Sequence, residues 1–90
     1  MVKPIGFSHH AMEQTPSRGA TREEVEAAIR SGEQAPAKAG RQAYRKNFPF
    51  QGHWKGRYYG TKQVMPIVVE EGEGLVVATV YVLYFGGLEA

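Results

Sequence analysis

Two adjacent histidines, His9 and His10, are the first residues of this sequence whose type and spacing suggest chemistry. An imidazole titrates near neutral pH, so a histidine that faces a basic cleft can move a proton to or from a ribose hydroxyl or a leaving oxygen. On a helix the two side chains differ in direction by about 100°, and His9 pairs with Glu13 at i, i+4. His10 is therefore the candidate acid or base. The alternative is structural, since a histidine in a first helical turn can bond a neighbouring backbone group or carboxylate.

Basic and aromatic side chains are concentrated in one segment of the chain. All nine acidic residues are glutamates, and none of them lies between Gln34 and Val69. This segment suits a phosphate backbone with unstacked bases, because cations release counterions and aromatic rings stack on bases. The alternative is a solvated sheet face whose charges are balanced by the helices. The cations are Lys38, Arg41, Arg45, Lys46, Lys55, Arg57 and Lys62, and the aromatic residues are Tyr44, Phe48, Phe50, Trp54, Tyr58 and Tyr59.

Metal and cofactor chemistry find no support in the sequence. The chain has no cysteine and no aspartate, its three histidines lack a zinc-ligand spacing, and the pattern H-E-x-x-H is absent. The glycines of Gly72-Glu73-Gly74 lie in a predicted hairpin and not between a strand and a helix, so they do not form a nucleotide-binding loop. We therefore expect neither a metal nor a cofactor.

Two helices are predicted in the first third of the chain. Ser8 is a good N-cap, and Pro16 ends a short helix that runs from His9 to Thr15. Thr21 followed by Glu24 is a capping box, and Gly32 is placed where a C′ glycine belongs. The second helix presents the apolar stripe Val25, Ala28 and Ile29.

After Gly40 the apolar period becomes two, which is typical of strands. The first strand, RQAYRKNF, places Tyr44, Phe48, Gln42 and Lys46 on one face and Arg41, Arg45, Asn47 and Ala43 on the other. We predict a loop from Pro49 to Gly52, a second strand WKGRYYG, and a third strand from Gln63 to Glu71 with an edge or bulge at Pro66. A hairpin turn at 71–74 leads into the last strand, Leu75 to Phe85.

The last strand is apolar on both faces, which is typical of a central strand. The predicted fold is α+β, with two N-terminal helices on an antiparallel sheet of three or four strands. Helices cover one face of the last strand, and the other needs a partner chain, the Phe48-Pro49-Phe50 loop, or a groove lined by Thr79 and Tyr81. The predicted core is Val25, Ile29, Tyr44, Val68, Val76, Ala78 and Val80.

Length and composition predict a single domain over residues 1–90. Without cysteine the fold depends on packing, which favours a reducing compartment. The N-terminal segment lacks the apolar region of a signal peptide, and the longest apolar run, LVVATVYVLYF, is shorter than the roughly 20 residues of a membrane-spanning helix. We expect a cytoplasmic protein without a membrane partner.

The order F-S-x-H-A, a short helix, R-G, then T-x-x-E-V resembles a widespread bacterial domain of unknown function, which is itself similar to the RelE and BrnT toxins. These toxins belong to a wider group of metal-free ribonucleases that includes barnase, EndoU and colicin relatives. The chain departs from the domain pattern at Gln14, where an arginine is usual. The matching residues are Phe7, Ser8, His10, Ala11, Arg18, Gly19, Thr21, Glu24, Val25, Tyr44 and Thr79-Val80-Tyr81.

The resemblance implies a RelE-like fold, action on RNA, and an antitoxin protein as a partner. Metal-free cleavage by a 2′-hydroxyl requires a base, an acid and cations that face the phosphorus. Arginine is the better phosphate ligand because its guanidinium is planar and bidentate. The predicted catalytic residues are His10, Arg45 and Tyr81, and the predicted phosphate-binding residues are Arg41, Lys46, Lys55 and Arg57.

Two hypotheses of different classes follow from these observations. The first is a toxin-like, metal-free endoribonuclease or a degenerate relative that acts on RNA. The second is a non-catalytic module that binds RNA or forms a homodimer through the second apolar face of the last strand.

Overall fold

The computed structural model describes residues 3–38 and 40–86. These residues form an α+β fold of two helices and a five-stranded sheet. The order along the chain is β1 (Ile5–Phe7), α1 (His9–Ser17), α2 (Arg22–Ser31), β2 (Glu33–Ala35), β3 (Gln42–Trp54), β4 (Arg57–Glu71) and β5 (Gly74–Phe85).

Both helices begin where the capping residues predict. Ser8 accepts a hydrogen bond from the Ala11 N–H at 3.1 Å, and the full capping box of Thr21 and Glu24 is present. Helix α1 is longer than predicted, because it continues to Ser17 with Pro16 in its last turn. Pro16 has no N–H for the Met12 carbonyl, and the helix ends one residue later at Ser17.

The sheet is mixed, which corrects the prediction of an antiparallel sheet of three or four strands. Its strand order is β1-β5-β4-β3-β2, and β1 pairs with β5 in parallel through Ile5 to Phe7. Strands β1 and β2 have three residues each, too few for a sequence period to identify them. The central strand is β4, whereas β5 has strand neighbours on both sides only from Leu75 to Val77. The prediction of a central last strand is therefore wrong for its second half.

The strands β3 and β4 form one long hairpin. The predicted loop from Pro49 to Gly52 is instead a bulge within β3, where Gln51 has a φ of 48° and the register shifts. The chain turns at Lys55 and Gly56, with φ values of 53° and 83°, so WKGRYYG contains the hairpin turn and is not a single strand. Positive φ at both turn residues matches the twist of the flanking strands.

A second bulge changes which residues of β5 enter the core. Ile67 pairs with Thr79 but Val68 pairs with Val77, so Ala78 is an extra residue in β5. An extra residue reverses the alternation of the strand, and Val77 therefore shares the core with Val80. The predicted core residues Val76 and Ala78 are only partly buried.

The remaining core predictions agree with the structure. Val25, Ile29, Val68 and Val80 are buried, and Tyr44 packs against them.

Pro66 is fully buried in β4 and does not lie at an edge. The β3–β4 pairing is interrupted beside it, between Ala43↔Ile67 and Lys46↔Val64, because proline has no N–H to donate.

Candidate nucleic-acid interface

The sheet has two faces of different character. The side that α1 and α2 cover, called here the helix face, carries the core valines Val64, Val68, Val77 and Val80. The opposite side is called the outer face. By alternation and pairing, β3 contributes Ala43 and Arg45 to the outer face, β4 contributes Met65 and Ile67, and β5 contributes Thr79, Tyr81, Leu83 and Phe85. Arg41, directly before β3, lies on the same side.

A small pocket on the outer face brings together two of the predicted site residues, Arg41 and Tyr81. Its volume is about 240 Å³. Lys38 and Arg41 can hold an anion, and the exposed ring of Tyr81 offers a surface for stacking. We call this group the Tyr81 pocket, and its described lining residues are Ala37, Lys38, Arg41, Ile67 and Tyr81.

Arg18 supports Tyr81 from the other side of β5. It is the C-cap residue of α1, and one guanidinium nitrogen, Nη1, donates to the Val80 carbonyl at 3.1 Å. The guanidinium carbon lies 5.7 Å from the centroid of the Tyr81 ring, which is within range of a cation–π interaction. Arg18 thus restrains the Tyr81 ring and adds a third positive charge near the Tyr81 pocket. Arg18 belongs to the R-G pair of the family pattern and was not among the predicted site residues.

Arg45 lies on the outer face but is engaged elsewhere. Its Nε donates to a carboxylate oxygen of Glu33 at 3.1 Å. Tyr81 pairs with Met65, and the β3–β4 register sets Arg45 opposite Met65, so two strand spacings, about 10 Å, separate Arg45 from Tyr81. Lys46 pairs with Val64 and lies on the helix face. Arg45 and Lys46, which are adjacent in sequence, therefore lie on opposite faces of the sheet.

The predicted phosphate-binding residues Lys55 and Arg57 lie at the tip of the β3–β4 hairpin. Lys55 is in the turn with its Nζ 5.7 Å from the Trp54 ring, and Arg57 pairs with Trp54. Fourteen residues separate Arg41 from Lys55, a span of up to about 45 Å in an extended strand. This span is comparable to the 45 Å long axis of the molecule. Lys55 and Arg57 therefore form a basic group separate from Arg41, and the three residues do not form one continuous basic surface.

His10 does not line the Tyr81 pocket. It is exposed in the first turn of α1, and α1 packs on the helix face. His9 is also exposed and lies 3.4 Å from Glu13, the predicted i, i+4 pair. The helical distance from His10 to Arg18, the α1 residue beside Tyr81, is about 12 Å. The structure thus does not bring His10, Arg45 and Tyr81 into one cluster.

Other residues of the F-S-x-H-A pattern have visible structural roles. Ser8 caps α1 and also donates from its hydroxyl to the Ala78 carbonyl at 3.2 Å, at the bulge of β5. Ala11 is completely buried, where a larger side chain would not fit without moving the sheet. These contacts hold α1 against β5. Most residues of the F-S-x-H-A pattern therefore act in packing α1 on the sheet.

Gln14, which replaces the arginine of the family pattern, is buried and points toward the sheet. Its Oε1 accepts a hydrogen bond from the Val80 N–H at 2.9 Å. Together Gln14 and Arg18 satisfy both backbone groups of Val80 at the side of β5 that faces away from β4. Gln14 therefore has a structural role at the edge of β5.

A buried ion pair is the polar feature that sequence reasoning missed. Lys62 is 6% exposed, and its Nζ lies 2.8 Å from a Glu24 carboxylate oxygen and 2.8 Å from the Gly19 carbonyl. The Phe50 ring lies 5.6 Å from the same nitrogen. A signal was available, because Lys62 is two residues before Val64 and shares its face. This pair joins α2 to β4.

Aromatic side chains pack around Tyr84 beside this ion pair. Trp54 stacks on Tyr84 with ring centroids 5.0 Å apart, and Phe50 meets it edge-on at 5.1 Å. The Tyr84 hydroxyl donates to the Arg18 carbonyl at 2.8 Å, and a Cβ on Gly19 would overlap that hydroxyl. Burial, with a smaller contribution from the Glu24 charge, raises the pKa of Tyr84. The phenol therefore stays protonated and keeps its hydrogen bond at neutral pH.

Comparison with family profiles, with curated proteins and with solved structures gives no match for this chain. Residues 3–38 and 40–86 contain no cluster of three or more histidine or carboxylate side chains that would hold a metal ion. In the same part of the chain, neither helix combines the length and apolar character needed to cross a membrane.

Proposed function

We propose that this protein binds single-stranded RNA through the Tyr81 pocket. The observation that carries the proposal is the convergence of Lys38, Arg41 and Tyr81 on one outer-face cavity, with the Arg18 guanidinium 5.7 Å from the centroid of the tyrosine ring. The cations suit a phosphate, and the exposed ring suits an unpaired base. RNA is chosen among polyanions because the F-S-x-H-A and R-G order of the chain resembles RNA-directed toxins.

Metal-free RNA cleavage is the second candidate function. For this reaction, the geometry favours the Tyr81 pocket over His10 as the site. Cleavage by a 2′-hydroxyl needs an acid, a base and a cation at one phosphate. Arg41 and Tyr81 supply a cation and a proton-carrying group within one cavity, whereas His10 is on α1. We therefore expect any cleavage activity to depend on Tyr81 and to survive His10→Ala.

The test of RNA binding compares Arg41, which directly precedes β3, with Arg45, which lies within β3. Arg41→Ala should weaken binding of a short oligoribonucleotide and lower the slope of log affinity against log salt by about 0.7, the value for one lost phosphate contact on a single strand. Arg45→Ala is the matched control, because Arg45 lies about 10 Å from Tyr81 and does not line the Tyr81 pocket. Fluorescence anisotropy over a salt series measures both variants.

Equal losses in the two variants would contradict the assignment of the Tyr81 pocket, and parent protein without measurable RNA affinity would contradict the proposal itself. Incubating the RNA with parent protein in the presence of a chelator separates cleavage from binding. Cleavage that His10→Ala abolishes while RNA affinity is retained would move the reaction to α1.

A further inference from the structure

The edge of β5 that faces away from β4 changes character along its length. From Leu75 to Val77 it pairs with β1. At Ala78 and Val80 the backbone groups are bonded by Ser8, Gln14 and Arg18 of the α1 region. From Tyr81 to Phe85 none of the described residues continues this cover.

Two residues of this uncovered segment direct their backbone groups outward. The Val80 N–H and C=O point to the edge, because they bond Gln14 and Arg18, and by the two-residue period Val82 and Tyr84 point the same way. No bond to these groups is formed by residues 3–38 or 40–86 outside the strand's own ladder. An edge of this kind is a template for another strand.

The side chains of the segment lack the usual protection of an edge strand. Natural edges carry charged residues or proline, but Tyr81 to Phe85 contains neither. On the outer face Tyr81 and Leu83 are each 45% exposed and Phe85 is 42% exposed, which leaves an apolar row beside the open backbone. The whole strand from Gly74 to Phe85 is uncharged, so two paired strands bring no like charges of their own together.

We propose that a second copy of the chain pairs with this edge in antiparallel fashion, with the two-fold axis at Leu83. In this register Val82 lies opposite Tyr84 of the second copy, and each such pair exchanges two N–H···O bonds. Tyr81 lies opposite Phe85 of the second copy, and Leu83 lies opposite itself. The pairing is isologous, so it closes as a dimer and does not propagate into a fibre.

The proposed ladder has a defined length. Gln14 and Arg18 already occupy the edge at Val80, so the second strand ends beside Tyr81. Five paired residues span about 17 Å, which is short for a stable interface, and the dimer should therefore form in the micromolar to millimolar range. This inference does not rest on RNA binding. Of the paired residues Tyr81 to Phe85, only Tyr81 also lines the Tyr81 pocket.

Charge substitutions at the two-fold axis test the register. Sedimentation velocity over a concentration series should show a monomer–dimer equilibrium for the parent. Leu83→Lys and Leu83→Glu should each be monomeric, since like charges then face each other directly. An equimolar mixture of the two variants should dimerise again, because Lys now faces Glu. Met12→Lys, a substitution of an exposed apolar residue on α1, is the matched control and should dimerise like the parent.

Val82→Pro is the second variant, because it removes one outward N–H without removing a bond to β4. It should also be monomeric, and thermal unfolding confirms that each variant is folded. A parent that stays monomeric up to about 1 mM would overturn the proposal. So would a dimer that Leu83→Lys leaves intact, or a mixture of the Lys and Glu variants that does not dimerise. Capture of a strand from another protein by a monomeric parent would assign the edge to that partner instead.

Discussion

Replacing Glu24 with glutamine is expected to lower the free energy of unfolding by about 2 kcal/mol, because a hydrogen bond to a charged group contributes about 1.5–3 kcal/mol. The loss arises at Lys62, which is 6% exposed and would exchange its carboxylate partner for a neutral amide oxygen beside the Gly19 carbonyl. Glutamine still accepts the capping-box hydrogen bond from the Thr21 N–H, so the substitution isolates the charge. Urea unfolding followed by circular dichroism measures the difference.

Two further variants separate the ion pair from a general effect of charge. Glu23→Gln removes a glutamate from the same helical turn where the side chain is exposed, and it should change stability by no more than about 0.5 kcal/mol. Lys62→Met should lose about 1 kcal/mol or less, since an apolar chain of similar length fills the site and Glu24 keeps contact with water. Equal losses in Glu23→Gln and Glu24→Gln would show that the pair is not a special contributor.

The second large effect is expected on RNA affinity. Tyr81→Ala should weaken binding of a short oligoribonucleotide at least about fivefold, because a base stacked on an aromatic ring contributes about 1–3 kcal/mol. Tyr81→Phe should bind almost as the parent does, since the ring remains. The side chain is 45% exposed, so both variants should fold. Anisotropy titration at fixed salt measures the three proteins side by side.

Met12→Ala is the control for general surface changes, because Met12 is 54% exposed on α1. It should bind RNA like the parent. If Tyr81→Ala also binds like the parent, the tyrosine ring is not a stacking surface. If Tyr81→Phe loses as much as Tyr81→Ala, the hydroxyl carries the interaction and the ligand contacts it directly.

The parts of the fold that the sequence predicts correctly depend on local chemistry. The Thr21–Glu24 capping box sets the start of α2, and Gly72 and Glu73 form the turn between β4 and β5. The face assignment around β3 is also correct, because Tyr44 and Phe48 pack against the core while Arg45 and the preceding Arg41 lie on the outer face. Each of these features is determined by residues within a few positions of one another.

The wrong predictions concern residues whose conformation depends on distant partners. Gln51 and Lys55 adopt positive φ, which neither side chain favours by itself, so the bulge and the turn of the long hairpin were misplaced. Ala78 is an extra residue only because of how β5 pairs with β4, and this reverses the faces of Val76 and Val77. β1 pairs with a strand some 70 residues later.

The candidate site was predicted by residue type but not by grouping. Arg41 and Tyr81 share a cavity that also includes Lys38, whereas Arg45 is paired with Glu33 and Lys46 lies on the helix face. Ion pairing and strand register are tertiary properties, so a list of basic residues cannot separate available cations from engaged ones. His10 illustrates the same point, since its place in the F-S-x-H-A pattern does not bring it to the Tyr81 pocket.

The most direct test of RNA binding at the Tyr81 pocket uses the isoleucine methyl groups, which report on both faces of the sheet. Ile67 lines the Tyr81 pocket, whereas Ile5 and Ile29 pack with the helix-face core. We predict that titration with a short oligoribonucleotide, followed by methyl NMR on isoleucine-labelled protein, shifts the Ile67 signal and leaves those of Ile5 and Ile29 in place. Shifts confined to Ile5 or Ile29, or RNA binding that leaves Ile67 unchanged, would contradict this assignment.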